Sequence, residues 1–172
     1  LLGGLVAAVR TDAGRVCAVS VPVSEGWRPV AVLAVPDFEV NTKDARSVLQ
    51  ETVSLKDAAY NVGRAALFVA AAAAGRTDCL AESMSDRLHQ QSRSCLIPGL
   101  QEVFNAAMDA GALGVSLSGS GPTILALSES EQARTVGTAM CEAFADAGVK
   151  AQVIYTKPRF RGATVEVLET RL

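Results

Sequence analysis

Runs of apolar residues separated by turn-forming residues predict strands in the early part of the chain. Residues 4–10 and 15–23 are expected to pair as a hairpin, because the connector 11–14 (Thr-Asp-Ala-Gly) has the composition of a tight turn. Residues 30–35 form a continuous apolar run between two prolines, which is typical of a buried strand. The chain is therefore predicted to begin with a hairpin that is followed by a core strand.

Helical spacing and capping residues predict the helices that follow. Thr42 is expected to be the N-cap of a short helix over 43–49, and Ser54 the N-cap of a longer helix that ends at Gly75. Within that longer helix, the apolar residues follow the helical period. The remaining helices are predicted over residues 77–84, 100–110 and 129–147.

The second half of the chain adds further strands. Residues 114–127 predict a strand, a Gly/Ser/Pro turn and a second strand, and two final strands are expected over 151–156 and 163–168. The polar stretch 86–95 predicts no particular element. Because helices and strands are mixed without a strict alternation, we expect an α+β sandwich in which helices cover an antiparallel sheet.

The composition is that of an ordinary globular domain of 172 residues, with 49% hydrophobic and 20% charged residues. A net charge of −2 offers no electrostatic footprint for nucleic acid or for an anionic membrane. The apolar stretch 65–74 is too short to cross a bilayer. We therefore expect neither a nucleic acid nor a membrane as partner.

Metal-ligating residue types are sparse. The four cysteines lie far apart in the sequence, so neither a zinc site nor a disulfide framework is predicted, and free thiols in the cytoplasm are expected. His89 is the only histidine, which excludes a histidine-rich metal site within this chain. The chain starts at Leu1 within an apolar stretch, without an initiator Met or a basic leader, which suggests a cleaved or truncated product.

The turn Gly119-Ser120-Gly121 is the first candidate for chemistry. A tight Gly/Ser loop can expose backbone N–H groups toward an anion, although a plain hairpin turn explains the same residues. It is not a Walker A loop, because no Gly-Lys-Ser/Thr follows. It is not a dinucleotide fingerprint either, because a strand follows in place of a helix.

Two arginines from different segments form the second candidate. Arg46 lies one helical turn after Thr42, and Arg93 lies in the polar stretch, so the two guanidinium groups could clamp a carboxylate. The competing interpretation is a pair of solvated surface residues. His89 is interpreted as a partly exposed, hydrogen-bonded residue, because no nucleophile accompanies it in the sequence.

Three stretches together resemble the homoserine kinase branch of the GHMP small-molecule kinases. Residues 114–123, with the core Ser-Gly-Ser-Gly-Pro-Thr, are similar to the third conserved motif of that superfamily. Residues 86–99 and 35–46 resemble the homoserine kinase branch in particular, and residues 1–4 resemble the tail of the segment that follows its His/Asp/Asn motif. The resemblance extends over essentially the whole chain.

The resemblance implies a ferredoxin-like C-terminal domain. It also implies transfer of the γ-phosphoryl group of ATP to the hydroxyl of L-homoserine, a step toward threonine. The substrate would be bound by Thr42, Arg46 and Arg93. The third motif would line the phosphate end of the cleft through Ser118, Gly119, Ser120 and Gly121.

The family's Gly/Ser-rich ATP loop has no counterpart in these 172 residues. ATP and Mg²⁺ are therefore expected to be held mainly by a missing N-terminal half. Residues 1–26 are interpreted as a hairpin left over from the N-terminal domain, and residues 27–172 as the C-terminal domain. No catalytic residue and no metal ligand are predicted here, and the chain is expected to be inactive alone.

Two other functions stay open at this point. The chain could belong to another GHMP kinase, acting on mevalonate, a sugar or a shikimate-type acid. It could also be a non-catalytic ferredoxin-like module that binds a free amino acid and regulates a partner. Pairing into a homodimer is a further possibility, since antiparallel α+β folds often associate.

Overall fold

A computed structural model describes residues 2–165 of the chain. The chain opens with a two-stranded antiparallel hairpin, β1 (Val6–Arg10) and β2 (Val16–Ser20), as predicted. Its connector is closed by a hydrogen bond from the Thr11 N–H to the Arg15 carbonyl, 2.8 Å, and Gly14 adopts a positive φ of 77°. A glycine suits that left-handed position because it has no Cβ.

A separate four-stranded sheet forms the centre of the molecule. Its strands are β3 (Val30–Pro36), β4 (Gly114–Leu117), β5 (Ile124–Ser128) and β6 (Ala151–Thr156), and their order across the sheet is β4-β5-β3-β6. All neighbours are antiparallel. The central strand β3 alternates buried and half-buried residues, as expected for a strand with one face on a core.

The helices described in the structure lie mostly between β3 and β4. They are α1 (Thr42–Ser47), α2 (Leu55–Ala74), α3 (Leu80–Ser83), α4 (Leu100–Asp109) and α5 (Ala133–Asp146). Short 3-10 segments span Thr77–Cys79 and Gln91–Leu96. Taken without the insertion that precedes α4, the order β3-α4-β4-β5-α5-β6 is the β-α-β-β-α-β order of a ferredoxin-like fold.

The core lies between the sheet and the helices α4 and α5. Phe144 and Met140 of α5 are fully buried, and they belong to one apolar cluster with Val32 of β3 and Val103 of α4. Close packing of this kind, with no polar atom to satisfy, is what stabilises a sheet covered by helices on one face. The predicted fold class, an antiparallel sheet covered by helices and preceded by a hairpin, is confirmed.

Several predicted boundaries differ from the structure. The N-cap of α1 is Asn41, whose Oδ1 accepts a hydrogen bond from the Lys43 N–H at 2.9 Å, so the prediction that Thr42 caps this helix was wrong by one residue. Asparagine at this position leaves Thr42 as the first helical residue. The last long helix begins at Ala133 and not at 129, because residues 129–132 form a turn closed by Gln132 N–H and the Glu129 carbonyl.

The predicted helix over 77–84 is divided into a 3-10 segment and the short helix α3. The predicted strand over 163–168 is absent from residues 163–165, and the rest of it lies outside the described residues. The long helix α2 agrees with its prediction at both ends. The Ser54 Oγ accepts from the Asp57 N–H, and Gly75 ends the helix with a φ of 72°.

Candidate functional site

The loop between β4 and β5 contains the predicted Gly/Ser turn. Its base is closed by the Ser118 N–H, which donates to the Thr123 carbonyl at 2.9 Å, and Gly121 N–H donates to the Ser118 carbonyl at 3.1 Å. Within residues 2–165, the amide groups of Gly119 and Ser120 have no hydrogen-bond acceptor. Two adjacent unbonded N–H groups on a left-handed turn are able to bind an anion.

The two glycines of this loop are required for different reasons. Both have positive φ, 63° at Gly119 and 80° at Gly121, where other residues are strained. A Cβ on Gly121 would lie 2.8 Å from the Ile97 Cδ1, so this glycine lets the loop pack on the core. A Cβ on Gly119 would meet no atom within 4 Å, so this side of the loop is open.

The polar stretch that the sequence left unassigned is organised by Asp86. Its Oδ2 accepts hydrogen bonds from the backbone N–H groups of Leu88, His89 and Gln90, at 2.7–3.0 Å. Its Oδ1 accepts from the side-chain amide of Asn61. Burial alone would raise the pKa of Asp86, but these hydrogen bonds favour the ionised carboxylate and hold its pKa below the usual value.

Gln90 and Arg93 connect this stretch to the Gly/Ser loop. The Gln90 Oε1 accepts from the Leu117 N–H at the end of β4, 2.6 Å, and its Nε2 donates to the Met84 carbonyl. Arg93 donates from Nη1 to the Gly119 carbonyl at 3.2 Å, and from Nε to the Ala45 carbonyl in α1 at 3.1 Å. A single side chain therefore joins α1, the polar stretch and the loop.

The Arg93 guanidinium is a buried charge without an acidic partner among residues 2–165. The residue is 8% exposed, and its acceptors are two carbonyl oxygens and the His89 Nδ1, at 3.0 Å. No Asp or Glu of the described residues forms a salt bridge with it. Because buried charges in proteins are normally paired, this arrangement can receive an anionic ligand. The interpretation of Arg93 as a solvated surface residue is excluded.

His89 contributes to the position of this arginine. Since Arg93 donates to Nδ1, that nitrogen acts as the acceptor and the ring proton is assigned to Nε2. Nε2 lies 3.5 Å from the Asp86 Oδ1. The ring is partly exposed and hydrogen-bonded, as the sequence indicated, and it connects the Asp86 carboxylate to the Arg93 guanidinium.

The other two predicted substrate residues lie on α1, next to this cluster. Thr42 and Arg46 are both exposed, and neither side chain forms a hydrogen bond or ion pair with the part of the chain that is described. Arg46 directly follows Ala45, whose carbonyl binds Arg93. The structure therefore brings Arg93 and Gly119 into contact and positions the backbone of α1 beside them, whereas the side chains of Thr42 and Arg46 have no partner there.

Sequence analysis missed Asp86, Gln90 and Asn61. An aspartate can cap a turn by accepting hydrogen bonds from the backbone N–H groups of the next few residues. An aspartate at the start of a stretch with no predicted helix or strand is a signal for such a turn, and this signal could have identified Asp86. Gln90 and Asn61 carry no comparable signal, because their partners lie 27 and 25 residues away.

A cleft of about 810 Å³ lies beside the polar stretch. Tyr60, Arg87, Phe104 and Met108 are among its lining residues, and none of the predicted site residues lines it. Among residues 2–165, no group of three or more His, Cys, Asp or Glu side chains is arranged to hold a metal ion. None of the described helices combines the length and the apolar character needed to cross a membrane.

Comparison with known proteins identifies the domain to which the second half of the fold is similar. Residues 68–146 match the sequence model of GHMP kinases C terminal. The chain is 46% identical over 165 residues to the homoserine kinase of Moorella thermoacetica. It also superposes on the crystal structure of homoserine kinase from Cytophaga hutchinsonii with a TM-score of 0.84 and 35% identity, covering 94% of this chain.

This chain contains a GHMP kinase C-terminal domain. The Moorella match covers 96% of this chain but 54% of that protein, and the Cytophaga match covers 50% of that structure, so the chain spans about half the length of these relatives. A mevalonate kinase from L. major, 18% identical with a TM-score of 0.66 over 94% of this chain and 51% of its own, shows that the fold is shared more widely.

Proposed function

We propose that this chain is the C-terminal part of a homoserine kinase, which phosphorylates the hydroxyl of L-homoserine to give O-phospho-L-homoserine. The reaction would belong to threonine biosynthesis in the cytoplasm. The names of the relatives at up to 46% identity support this assignment. One observation in the chain itself carries this assignment. The Arg93 guanidinium is buried without an acidic partner among the described residues, and it lies beside an open Gly/Ser loop.

Arg93 would bind the homoserine carboxylate. Its Nη2 donates no hydrogen bond to the described residues, and a carboxylate would supply both this acceptor and the counter-charge. Arg46 would reach the same carboxylate from α1, and the Thr42 hydroxyl would lie nearby. This hydroxyl is not used as a helix cap, because Asn41 caps α1. Holding the substrate from two sides fixes the direction of its hydroxyl, and alignment is the larger part of phosphoryl-transfer catalysis.

Residues Ser118 to Gly121 would bind phosphate oxygens of ATP. The unbonded amides of Gly119 and Ser120, together with the open side of Gly119, fit an anionic group. Bound ATP supplies the phosphoryl group that the substrate hydroxyl accepts. Mg²⁺ and most of the ATP site would belong to the other half of the enzyme, because the Gly/Ser-rich ATP loop that the resemblance implies has no counterpart in these 172 residues.

We further propose that the chain contains parts of two domains. Residues 1–26 would belong to the N-terminal domain of the kinase, and residues 27–172 would form the C-terminal domain. The exposed faces of β1 and β2 support the division, since a two-stranded hairpin is marginally stable without further strands. The chain alone is expected to lack kinase activity, and homoserine-dependent ATP turnover by the 172 residues would contradict this.

The test is ADP production by the full-length kinase that contains this chain. We expect strong stimulation by L-homoserine and none by L-serine or mevalonate. Stimulation by mevalonate or by another acceptor would replace the substrate while keeping the enzyme class. No stimulation by any acceptor, combined with binding of L-homoserine, would favour an amino-acid-binding module.

A further inference from the structure

The acceptors around the Arg93 guanidinium leave one of its three nitrogens for a ligand. Nε donates to the Ala45 carbonyl at 3.1 Å, and Nη1 donates to the Gly119 carbonyl and to the His89 Nδ1, at 3.2 and 3.0 Å. These bonds use the single hydrogen of Nε and both hydrogens of Nη1. Nη2 donates to none of residues 2–165, so a carboxylate that reaches this arginine is expected to meet Nη2 alone and not a two-nitrogen fork.

Only one of the three acceptors is a side chain. The other two are backbone carbonyls of α1 and of the Gly/Ser loop, so substitution does not remove them. The His89 side chain is 40% exposed, whereas Arg93 is 8% exposed. The residue at position 89 is therefore the part of this arrangement that can change without repacking the core, and its chemistry decides how the guanidinium is held.

The acceptor at position 89 is neutral when the imidazole is neutral. A carboxylate in its place would accept the same hydrogen bond, but it would also pair with the Arg93 charge. A second anion would then approach a neutralised pair and be repelled by the carboxylate already present. An imidazole nitrogen fixes the guanidinium and leaves its positive charge available to a ligand.

Asp86 favours the form of the ring that this arrangement requires. Nδ1 is an acceptor only if the ring proton lies on Nε2. Nε2 faces the Asp86 Oδ1 at 3.5 Å, and the Asp86 Oδ2 is anchored by three backbone N–H groups. The ring thus has an acceptor on its Nε2 side and the Arg93 donor on its Nδ1 side, and the two together select one tautomer.

We propose that His89 is a positioning residue for Arg93, a neutral acceptor that fixes the guanidinium and keeps its charge free for the carboxylate of the substrate. Arg93 would make its contact with the substrate through Nη2, and His89 would not touch the substrate. The inference rests on the proposed binding of a substrate carboxylate by Arg93, but not on homoserine being that substrate.

The test compares three variants of the full-length kinase. His89→Asn keeps a neutral oxygen close to the place of Nδ1, since both atoms are bonded to Cγ, whereas His89→Asp places a charged oxygen there and His89→Leu no acceptor. We expect the homoserine KM to stay within about threefold of the parent in His89→Asn, to rise about 10-fold in His89→Leu, and to rise on the order of 100-fold in His89→Asp. The value of kcat should change little, because position 89 acts on substrate binding.

The inference is overturned if His89→Asn raises the homoserine KM as much as His89→Leu, or if His89→Asp binds homoserine as well as His89→Asn. A merely structural role would not separate the last two variants by their charge. Thermal denaturation identifies a variant that is unfolded at the assay temperature. If His89→Asp is unfolded, the comparison of His89→Asn with His89→Leu decides.

Nitrogen NMR of the same kinase gives a measurement that does not depend on turnover. With histidine labelled by ¹⁵N, the imidazole signal that is missing from His89→Asn belongs to His89. In mildly alkaline buffer we expect the ring proton on Nε2 and an unprotonated Nδ1, and a proton on Nδ1 would overturn the inference.

Failure of the proposed substrate is distinguishable from failure of this inference. If the kinase phosphorylates another carboxylate-bearing acceptor and not homoserine, the three variants are compared with that acceptor, and the positioning role stands or falls on the same order of KM values. An acceptor without a carboxylate would overturn the positioning role, whatever the enzyme class.

Discussion

Two valine-rich pieces of sheet in this chain have opposite environments. Strand β3 alternates buried and half-buried residues, whereas every residue of β2 is exposed. Both are rich in residues that fit an extended backbone, so strand propensity predicts both equally well. The difference lies in their neighbours, since α5 packs over β3 and the hairpin faces are not buried by any described element. Propensity therefore decides that a strand forms, and the neighbouring elements decide what it contributes to stability.

The comparison is sharpest for one large side chain in the core and one in the hairpin. Phe144→Ala should lower the free energy of unfolding by about 3–5 kcal/mol, because the ring is fully buried against the central sheet. Val16→Ala in β2 should change it by about 0.5 kcal/mol or less. Urea denaturation followed by circular dichroism measures both. Similar losses from the two changes would mean that the hairpin is packed in solution.

The same contrast can be tested between a buried and an exposed arginine. In the full-length kinase, Arg93→Ala should raise the homoserine KM and weaken transition-state binding by about 2–5 kcal/mol, because it would remove the buried residue that is proposed to bind the carboxylate. Arg76→Ala is the control, since Arg76 forms only an exposed ion pair with Asp78. Steady-state kinetics measures the effect, and thermal denaturation identifies a variant that has simply unfolded. An unchanged KM in Arg93→Ala would remove this residue from the substrate site.

Asp86 and Asp12 extend the comparison to carboxylates. Asp86→Ala should lower the free energy of unfolding by about 1–3 kcal/mol at pH 7, because three backbone N–H groups lose their acceptor. Asp12→Ala, in the exposed turn of the hairpin, should have almost no effect.

The effect of Asp86 should also depend on pH in a definite direction. Its pKa is lower in the folded chain than the value of about 3.9 expected in the unfolded chain, so its contribution is complete above that pH. The contribution is lost as the pH falls through the folded pKa. Unfolding experiments at pH 7 and near pH 3 should therefore show a smaller difference between Asp86→Ala and the parent chain at the lower pH. A difference that is independent of pH would contradict ionic stabilisation.

The smallest expected effect on stability comes from a comparison of two glycines, Gly119 in the proposed phosphate loop and Gly148 outside it. Gly119 and Gly148 both have positive φ and both have open space where a Cβ would be. Alanine at either position should cost about 1–2 kcal/mol of stability, from backbone strain alone. In the full-length kinase, only Gly119→Ala should raise the KM for ATP, because only this loop is proposed to bind phosphate. Equal kinetic behaviour of the two variants would reduce the loop to a turn.

Local patterns predicted most of the regular structure. The continuous apolar run of β3, the Ser54 cap and the Gly75 end of α2, and the Gly/Ser/Pro turn before β5 are each decided within a few residues, and all agree with the structure. The errors are local too. Asn41 competed with Thr42 for the same cap, and Glu129 and Glu131 favoured a helix where a turn forms.

The candidate site was predictable in part. The motif residues were recognisable one by one, but their contacts were not, since Arg93 binds the Ala45 and Gly119 carbonyls at separations of 48 and 26 residues. The burial of Arg93 could not be derived from a polar segment without periodicity. Whether Thr42, Arg46, Arg93 and Ser118 to Gly121 bind ligands stays a prediction.

The sequence by itself determined where most of the strands, helices and turns form, because backbone propensity, capping and the apolar period act over short distances. Its motifs also indicated the GHMP kinase C-terminal domain, without any coordinates. Only the tertiary structure decided which valines are buried, which arginine is buried without an acidic partner among the described residues, and which face of α2 is left uncovered. Those properties depend on the desolvation and contacts that distant segments provide, and no local pattern records them.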